Sequence, residues 1–134
     1  MNQMIFQIYF VYSIKKLHFM IELKKKESIY HLTMNAGENR WNTTFVNEFA
    51  GALDEIENDD GPGALITSSQ DSKFFSNGLD LDWFKSPKSH PQGGDREVFG
   101  EKFMYLMGRM ITLPIPSICL INGHAFGAGF MLAM

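Results

Sequence analysis

The sequence predicts an α/β fold with crossover helices, and three observations carry that expectation. Strand-length apolar patterns alternate with patterns of helical period, in the order ββ, α, β, α, β and the start of a further helix. Two of the strand-like runs lead into glycine-bearing turns, Lys73–Leu81 and Gly127–Gly129, each followed by a helical start. At 134 residues, 45% apolar and 20% charged, the chain has the composition of a small globular domain.

Each element has a local reason. Ile21–Lys24 and Ser28–Met34 flank the charged triplet Lys25-Lys26-Glu27, which predicts a hairpin. A polar stretch, Asn35–Asn42, leads into a helix that Asn42 or Thr43 caps, with Phe45, Phe49, Ala52, Leu53 and Ile56 on one face. Asp59-Asp60-Gly61-Pro62-Gly63 ends that helix, and Ala64–Ser68 reads as the next strand. Ser86–Gly94, with two prolines and two glycines, is a loop and a candidate flap. A second amphipathic helix is expected from about Asp95 to Ile111, with Phe99, Phe103, Leu106, Met107 and Met110 on its apolar face. Pro114 and Pro116 stop it, and Ile118–Ile121 then reads as a buried strand.

Composition removes several function classes. The formal charge is −3 and the basic residues form no stripe, so nucleic acid is not an expected partner. The single cysteine, Cys119, excludes a disulfide framework and fits a reducing compartment; it reads as a core thiol, with a reactive thiol as the alternative. Met4–Ile14 is apolar but too short to span a bilayer, and Lys15 and Lys16 lie on the wrong side of it for a secretory signal. Residues 1–20 therefore read as an atypical extension, either an extra strand or a mis-assigned start, ahead of a domain at 21–134. The final apolar run lacks a helix stop, which is the expectation for a domain cut short.

The two glycine turns suggest a chemistry. Backbone N–H groups at helix starts are unpaired, cannot titrate and are held by the fold. Two of them converging on one carbonyl oxygen form an oxyanion hole, in which each donor contributes about 3 to 4 kcal/mol to the transition state. Gly78 allows tight geometry before Leu79, and Gly127 does so before Ala128.

KFFSNGLDL (73–81) and INGHAFGAGF (121–130) resemble the paired oxyanion segments of the crotonase, or enoyl-CoA hydratase/isomerase, superfamily. The resemblance runs in order from Ile21 to Met134 and is nearest to eukaryotic Δ3,Δ2-enoyl-CoA isomerases. It implies a crotonase-like ββα spiral core, here truncated, and a CoA thioester as substrate, with no cofactor and no metal. It assigns the oxyanion N–H groups to Leu79 and Ala128, and places Ser76, Asn77, Gly78, Asp80 and Gly127 along the bound thioester. Arg40 would meet a CoA phosphate or remain a solvated charge. Hydratases of the family carry a glutamate where Met131 stands, so the resemblance favours an isomerase of fatty-acid β-oxidation, whose base would lie beyond Met134. It further implies a homo-oligomeric parent built on trimers, no membrane association, and a peroxisomal location, or alternatively a mitochondrial one.

Other residues near the two turns have plainer readings. Asp80 reads chiefly as a helix cap, and Glu48, Glu55 and Glu57 as a solvated helix face. His124 is a turn histidine or approaches the acyl group; Trp83 and Phe84 are core or line an acyl pocket. A dinucleotide fold fails because its third glycine would fall on Leu132, and no Gly-x-Ser-x-Gly nucleophile turn is present. The remaining rivals are a hydratase and a non-catalytic acyl-CoA-binding fragment.

Overall fold

The computed structural model describes residues 19–134 apart from positions 91 and 93; the expected extension at 1–20 lies almost wholly outside these. β1 (Ile21–Lys26) and β2 (Ile29–Met34) form the expected antiparallel hairpin, closed by a turn in which Glu27 takes a φ of 55°. α1 (Thr43–Glu57) crosses to β3 (Ala64–Ser69), which pairs parallel to β2. α3 (Asp95–Ile111) crosses to β5 (Ser117–Cys119), parallel to β3, so the sheet order is β1-β2-β3-β5. The expected α/β class with crossover helices is what the chain adopts.

Period-2 alternation decides which face of the sheet is covered. Tyr30, Leu32 and Met34 of β2 and Leu65, Thr67 and Ser69 of β3 are buried on one side. Against them lies the apolar stripe of α1, with Phe45, Val46, Phe49, Ala52, Leu53 and Ile56 all buried. Asn42 caps this helix, its Oδ1 accepting from Phe45 N at 3.0 Å. Trp41, fully buried, sits among Phe45, Phe49 and Phe103 with ring centroids 4.8, 5.7 and 5.3 Å away.

α3 is tied to α1 by charge as well as packing. The Arg109 guanidinium, 12% exposed, donates to Asp54 at 2.7 Å and to Glu57 at 2.8 Å. Glu48 departs from the solvated role expected of it. Its Oε2 accepts from Met20 N at 2.6 Å and Ile21 N at 3.2 Å, fastening the start of β1 to α1.

Two short strands were not expected: β4 (Phe74–Ser76) and β6 (His124–Ala125), which form a separate parallel pair. The buried strand expected at Ile118–Ile121 is also corrected. β5 ends at Cys119 and is an edge strand, and Ile118, Leu120 and Ile121 are all more than half exposed. Their hydrophobicity forecast burial, but among the described residues no element covers them. Phe49 is fully buried in the core cluster and stacked on Trp41, so Phe49→Ala should cost about 3 to 5 kcal/mol of stability, read as a lower denaturation midpoint in urea.

Candidate functional site

The first glycine turn is built on Ser76, a fully buried hydroxyl at the end of β4. Its Oγ donates to Asn39 O at 2.7 Å and accepts from Trp41 Nε1 at 3.0 Å and from Gly78 N at 3.3 Å. Trp41 N donates to Gly78 O at 2.8 Å, and Asp80 N donates to Trp41 O at 2.9 Å, so Leu79 is held between them. Gly78 has a φ of 77°, a conformation that a side chain would strain. Asp80 caps α2 (Leu81–Lys85), with Oδ1 accepting from Trp83 N at 3.0 Å, and its other oxygen accepts from Asn42 Nδ2 at 3.2 Å.

Residues 36–41 brace this turn from behind. Asn39 is fully buried with a φ of 51°. Its Nδ2 donates to Ser69 Oγ at 2.7 Å and Phe75 O at 3.0 Å, while its Oδ1 accepts from Ala36 N at 2.9 Å. A buried amide with these partners is stabilising only while all are present, because each orphaned polar group would carry its full desolvation penalty. Asn77 N donates to Glu38 O at 2.8 Å, and Asn77 Nδ2 to Glu38 Oε2 at 2.7 Å. The asparagine, followed by Arg40, holds the Glu38 carboxyl below its ordinary value of 4.5.

The second turn docks onto the first through β4 and β6. His124 N donates to Lys73 O at 2.8 Å and Phe126 N to Ser76 O at 2.9 Å. α4 (Ala128–Ala133) starts at once, and Gly129 lies so near Ser76 that a Cβ on it would come 2.5 Å from Ser76 Cβ and 2.6 Å from Ser76 O. A Cβ on Gly78 would meet Phe126 O at 2.9 Å and Ala128 N at 3.7 Å. The two turns therefore touch backbone to backbone. Among the described residues, neither Leu79 N–H nor Ala128 N–H meets an acceptor.

The structure thus brings together Ser76, Asn77, Gly78, Leu79, Asp80, Gly127 and Ala128. Arg40 lies to one side. Its Nε and one NH2 group contact Glu38 Oε2 at 2.7 Å, and the other NH2 group is 3.6 Å from Asp82. With Met20, Ala36, Glu38, Asn42 and Asp80 it lines an open cavity of about 280 Å³. His124 is exposed beside Phe74 and Phe126. Trp83 packs on the core through Phe99, at a centroid distance of 4.9 Å, which favours its core reading. The supporting residues Asn39, Trp41 and Ser69 escaped the sequence reading, because their roles depend on contacts across 30 or more positions. Only the polar run before α1 marked the region.

The sequence from residue 24 to 134 matches the family profile described as enoyl-CoA hydratase/isomerase. The chain belongs to the enoyl-CoA hydratase/isomerase family. Family relatives include, from Arabidopsis thaliana, the peroxisomal enoyl-CoA delta isomerase 1, 36% identical over 86% of this chain and 47% of the relative. The peroxisomal enoyl-CoA delta isomerase 2 of the same plant is 30% identical over 86% of this chain and 49% of its own length. This chain therefore spans about half the length of those family members. A Geobacillus kaustophilus enoyl-CoA hydratase structure superposes with a TM-score of 0.76 at 22% identity, over 85% of this chain and 42% of that one. Pseudomonas aeruginosa DspI gives a TM-score of 0.75 at 24% identity, over 90% and 48%. The family fold is thus the crotonase fold in part, as the motifs implied.

Gly129→Ala should push the turns apart, because the new methyl meets the Ser76 Cβ and carbonyl oxygen, which cannot swing aside as the end of a long side chain could; the expected readout is loss of protection of the Phe126 amide, bonded to Ser76 O, in hydrogen exchange. Glu38's folded pKa is depressed, so its contribution is complete above 4.5 and is lost as pH falls through the lowered folded value. Thermal unfolding of the wild type and Glu38→Gln should accordingly differ at neutral pH and converge in acid below that point.

Proposed function

We propose that the chain forms the thioester-binding part of an enoyl-CoA isomerase, which moves a 3-enoyl double bond to the trans-2 position in fatty-acid β-oxidation. The observation that carries this is the backbone contact between the Gly78 and Gly127 turns, with the N–H groups of Leu79 and Ala128 left without an acceptor among the described residues. Donors so held, aimed at a thioester oxygen, stabilise the dienolate formed when the C2 proton leaves. Returning that proton at C4 completes the shift, with no redox change and no cofactor required. Ser76 and Asn77 hold the first donor in place, Gly78 and Gly129 let the two turns approach, Gly127 takes the positive φ of 48° that leads into Ala128, and Asp80 orients α2 below them. Arg40, half exposed at its cavity, would face a CoA phosphate in competition with its Glu38 partner.

The proton carrier is not among these residues. Asp80 is occupied as a cap, Glu38 is held by Asn77 and Arg40, and Asp82 is 94% exposed in its side chain. Met131 cannot activate water, which favours proton shift over hydration. The names of the two Arabidopsis relatives support the isomerase reading, whereas a Bacillus subtilis relative at 33% identity is described as a probable enoyl-CoA hydratase. The hydratase therefore stands as the second reading. A peroxisomal location follows the same two relatives, with a mitochondrial one as the alternative from a mouse mitochondrial hydratase-domain protein.

Ala128→Pro tests the oxyanion assignment, because it deletes one N–H at a first helical position where proline is tolerated. Infrared spectra of a bound 3-enoyl-CoA should show the thioester carbonyl band lowered by the wild-type protein and partly restored by the variant. Where turnover is measurable, the variant should lose about 10² to 10³ in kcat. An unchanged band would remove Ala128 from the site. Formation of 3-hydroxyacyl-CoA from a 2-enoyl-CoA as the main product would establish the hydratase instead.

A further inference from the structure

Among the described residues, the last backbone bond between β3 and the β5 segment runs from Leu120 N to Thr67 O. Leu65 N donates to Pro116 O on the same side, so the odd-numbered residues of β3 turn their peptide groups toward β5. Ser69 is the next of these, but beyond Leu120 the chain leaves the sheet for β6. The Asn122 side chain supplies the missing rung. Its Oδ1 accepts from Ser69 N at 3.2 Å, and its Nδ2 donates to Ser69 O at 2.9 Å and to Asp71 O at 3.2 Å. One acceptor and two donors on a single planar group match one N–H and two carbonyls, a set that only Asn and Gln side chains carry. Ser69 is buried, so each of its groups left unpaired would cost its desolvation.

Two arms leave this clamp. One runs from Asp71 through β4 to the Gly78 turn and Leu79; the other runs from Gly123 through β6 to the Gly127 turn and Ala128. Their first residues are fastened together. Asp71 Oδ1 accepts from Lys73 N and Phe74 N at 2.8 Å each, and His124 N donates to Lys73 O at 2.8 Å. Gly123 lies so near that a Cβ on it would come 2.6 Å from Lys73 C and O. Ser69 also accepts at Oγ from Asn39 Nδ2 and donates to Phe74 O, at 2.7 Å each, which joins the clamp to the network beneath the first turn. β4 and β6 are only three and two residues long, so their own ladder has few bonds with which to fix its register.

We propose that Asn122 is a positioning residue for the oxyanion hole. By pinning the start of the second arm to the start of the first, it sets the register of β6 on β4, and with it the spacing of the Leu79 and Ala128 N–H groups. This rests on the thioester-binding reading above and deepens it; Asn122 touches no substrate and acts through the arm it anchors. Magnitudes show why the register matters. A slip of one residue would carry Ala128 about 3.3 Å along the strand direction, whereas an effective donor lies roughly 2.7 to 3.1 Å from the oxygen it stabilises.

Asn122→Asp tests this, because it keeps the shape of the side chain and sets an oxygen against two carbonyls where the amide nitrogen stood. Protonating the new carboxyl restores one donor, so the lesion reverses with pH. In hydrogen exchange of the full chain, the Ser69 and Phe126 amides should each lose about tenfold in protection at neutral pH relative to the wild type. They should regain it below about pH 4, where the introduced carboxyl takes up its proton. Asn122→Ala should show the loss at every pH. The Val46 amide, bonded to Asn42 O in α1, should not change. Gln70→Glu, which places the same charge beside Ser69, should leave all three amides as they are. The infrared carbonyl band of a bound 3-enoyl-CoA should lose part of its lowering in Asn122→Asp and recover it over the same acid range. Loss confined to Ser69, with Phe126 and the band unchanged, overturns the proposal, since Asn122 then only closes the end of β3. Equal loss at Val46, or no recovery in acid, overturns it as well. A wild-type band that is not lowered would overturn the thioester reading instead, while exchange at Ser69 and Phe126 would still decide whether Asn122 sets the register of the two turns.

Discussion

One backbone-to-backbone contact organises this molecule: the approach of the 126–129 turn to the 76–78 turn, made possible by the absence of side chains at Gly78 and Gly129. The Phe126–Ser76 hydrogen bond closes it, and the β4–β6 pair leads into it. Because the contacting atoms are main chain, the spacing of the two turns is set by peptide geometry and not by rotamers. Neighbouring amides at Leu79 and Ala128 inherit that fixed spacing. Such preorganisation is what a polarised carbonyl needs, since donors already in place cost no reorganisation when charge develops.

That contact in turn depends on a buried polar network far from it in sequence. Ser76 Oγ serves Asn39 O, Trp41 Nε1 and Gly78 N at once, and Asn39 links Ser69, Phe75 and Ala36. Every member has its partners, so the network rigidifies the turn without leaving polar groups stranded. Trp41 belongs to both systems. Its indole packs in the aromatic cluster of α1 and α3, while its N–H and backbone fasten the turn. Core packing and site geometry are therefore coupled through a single side chain.

The opposite behaviour is seen at β5. There hydrophobicity is abundant but, among the described residues, no element covers it, and a run of central-strand character stands at an edge. The chain spans about half the length of its Arabidopsis relatives, so the surfaces beside β5 and α4 and the proton-transfer group of the proposed reaction raise one question: what stands against these elements in the assembled protein.

Local patterning alone determined the hairpin, the approximate bounds of α1 and α3, a cap at Asn42 or its neighbour Thr43, the cap at Asp80, and the positions of the two glycine turns. Each depends on residues within a few positions of one another, where periodicity and side-chain-to-backbone hydrogen bonds act. The motif pair also sufficed to indicate the family. Only the tertiary structure decided that β4 and β6 exist, since strands of three and two residues have no periodicity and are stabilised by each other. It alone revealed Asn39, Trp41 and Ser69 as supports, bound Arg40 to Glu38, and left Ile118 exposed among the described residues. Burial and hydrogen bonding between segments thirty or more residues apart depend on how elements stack, and no short window of sequence contains that information.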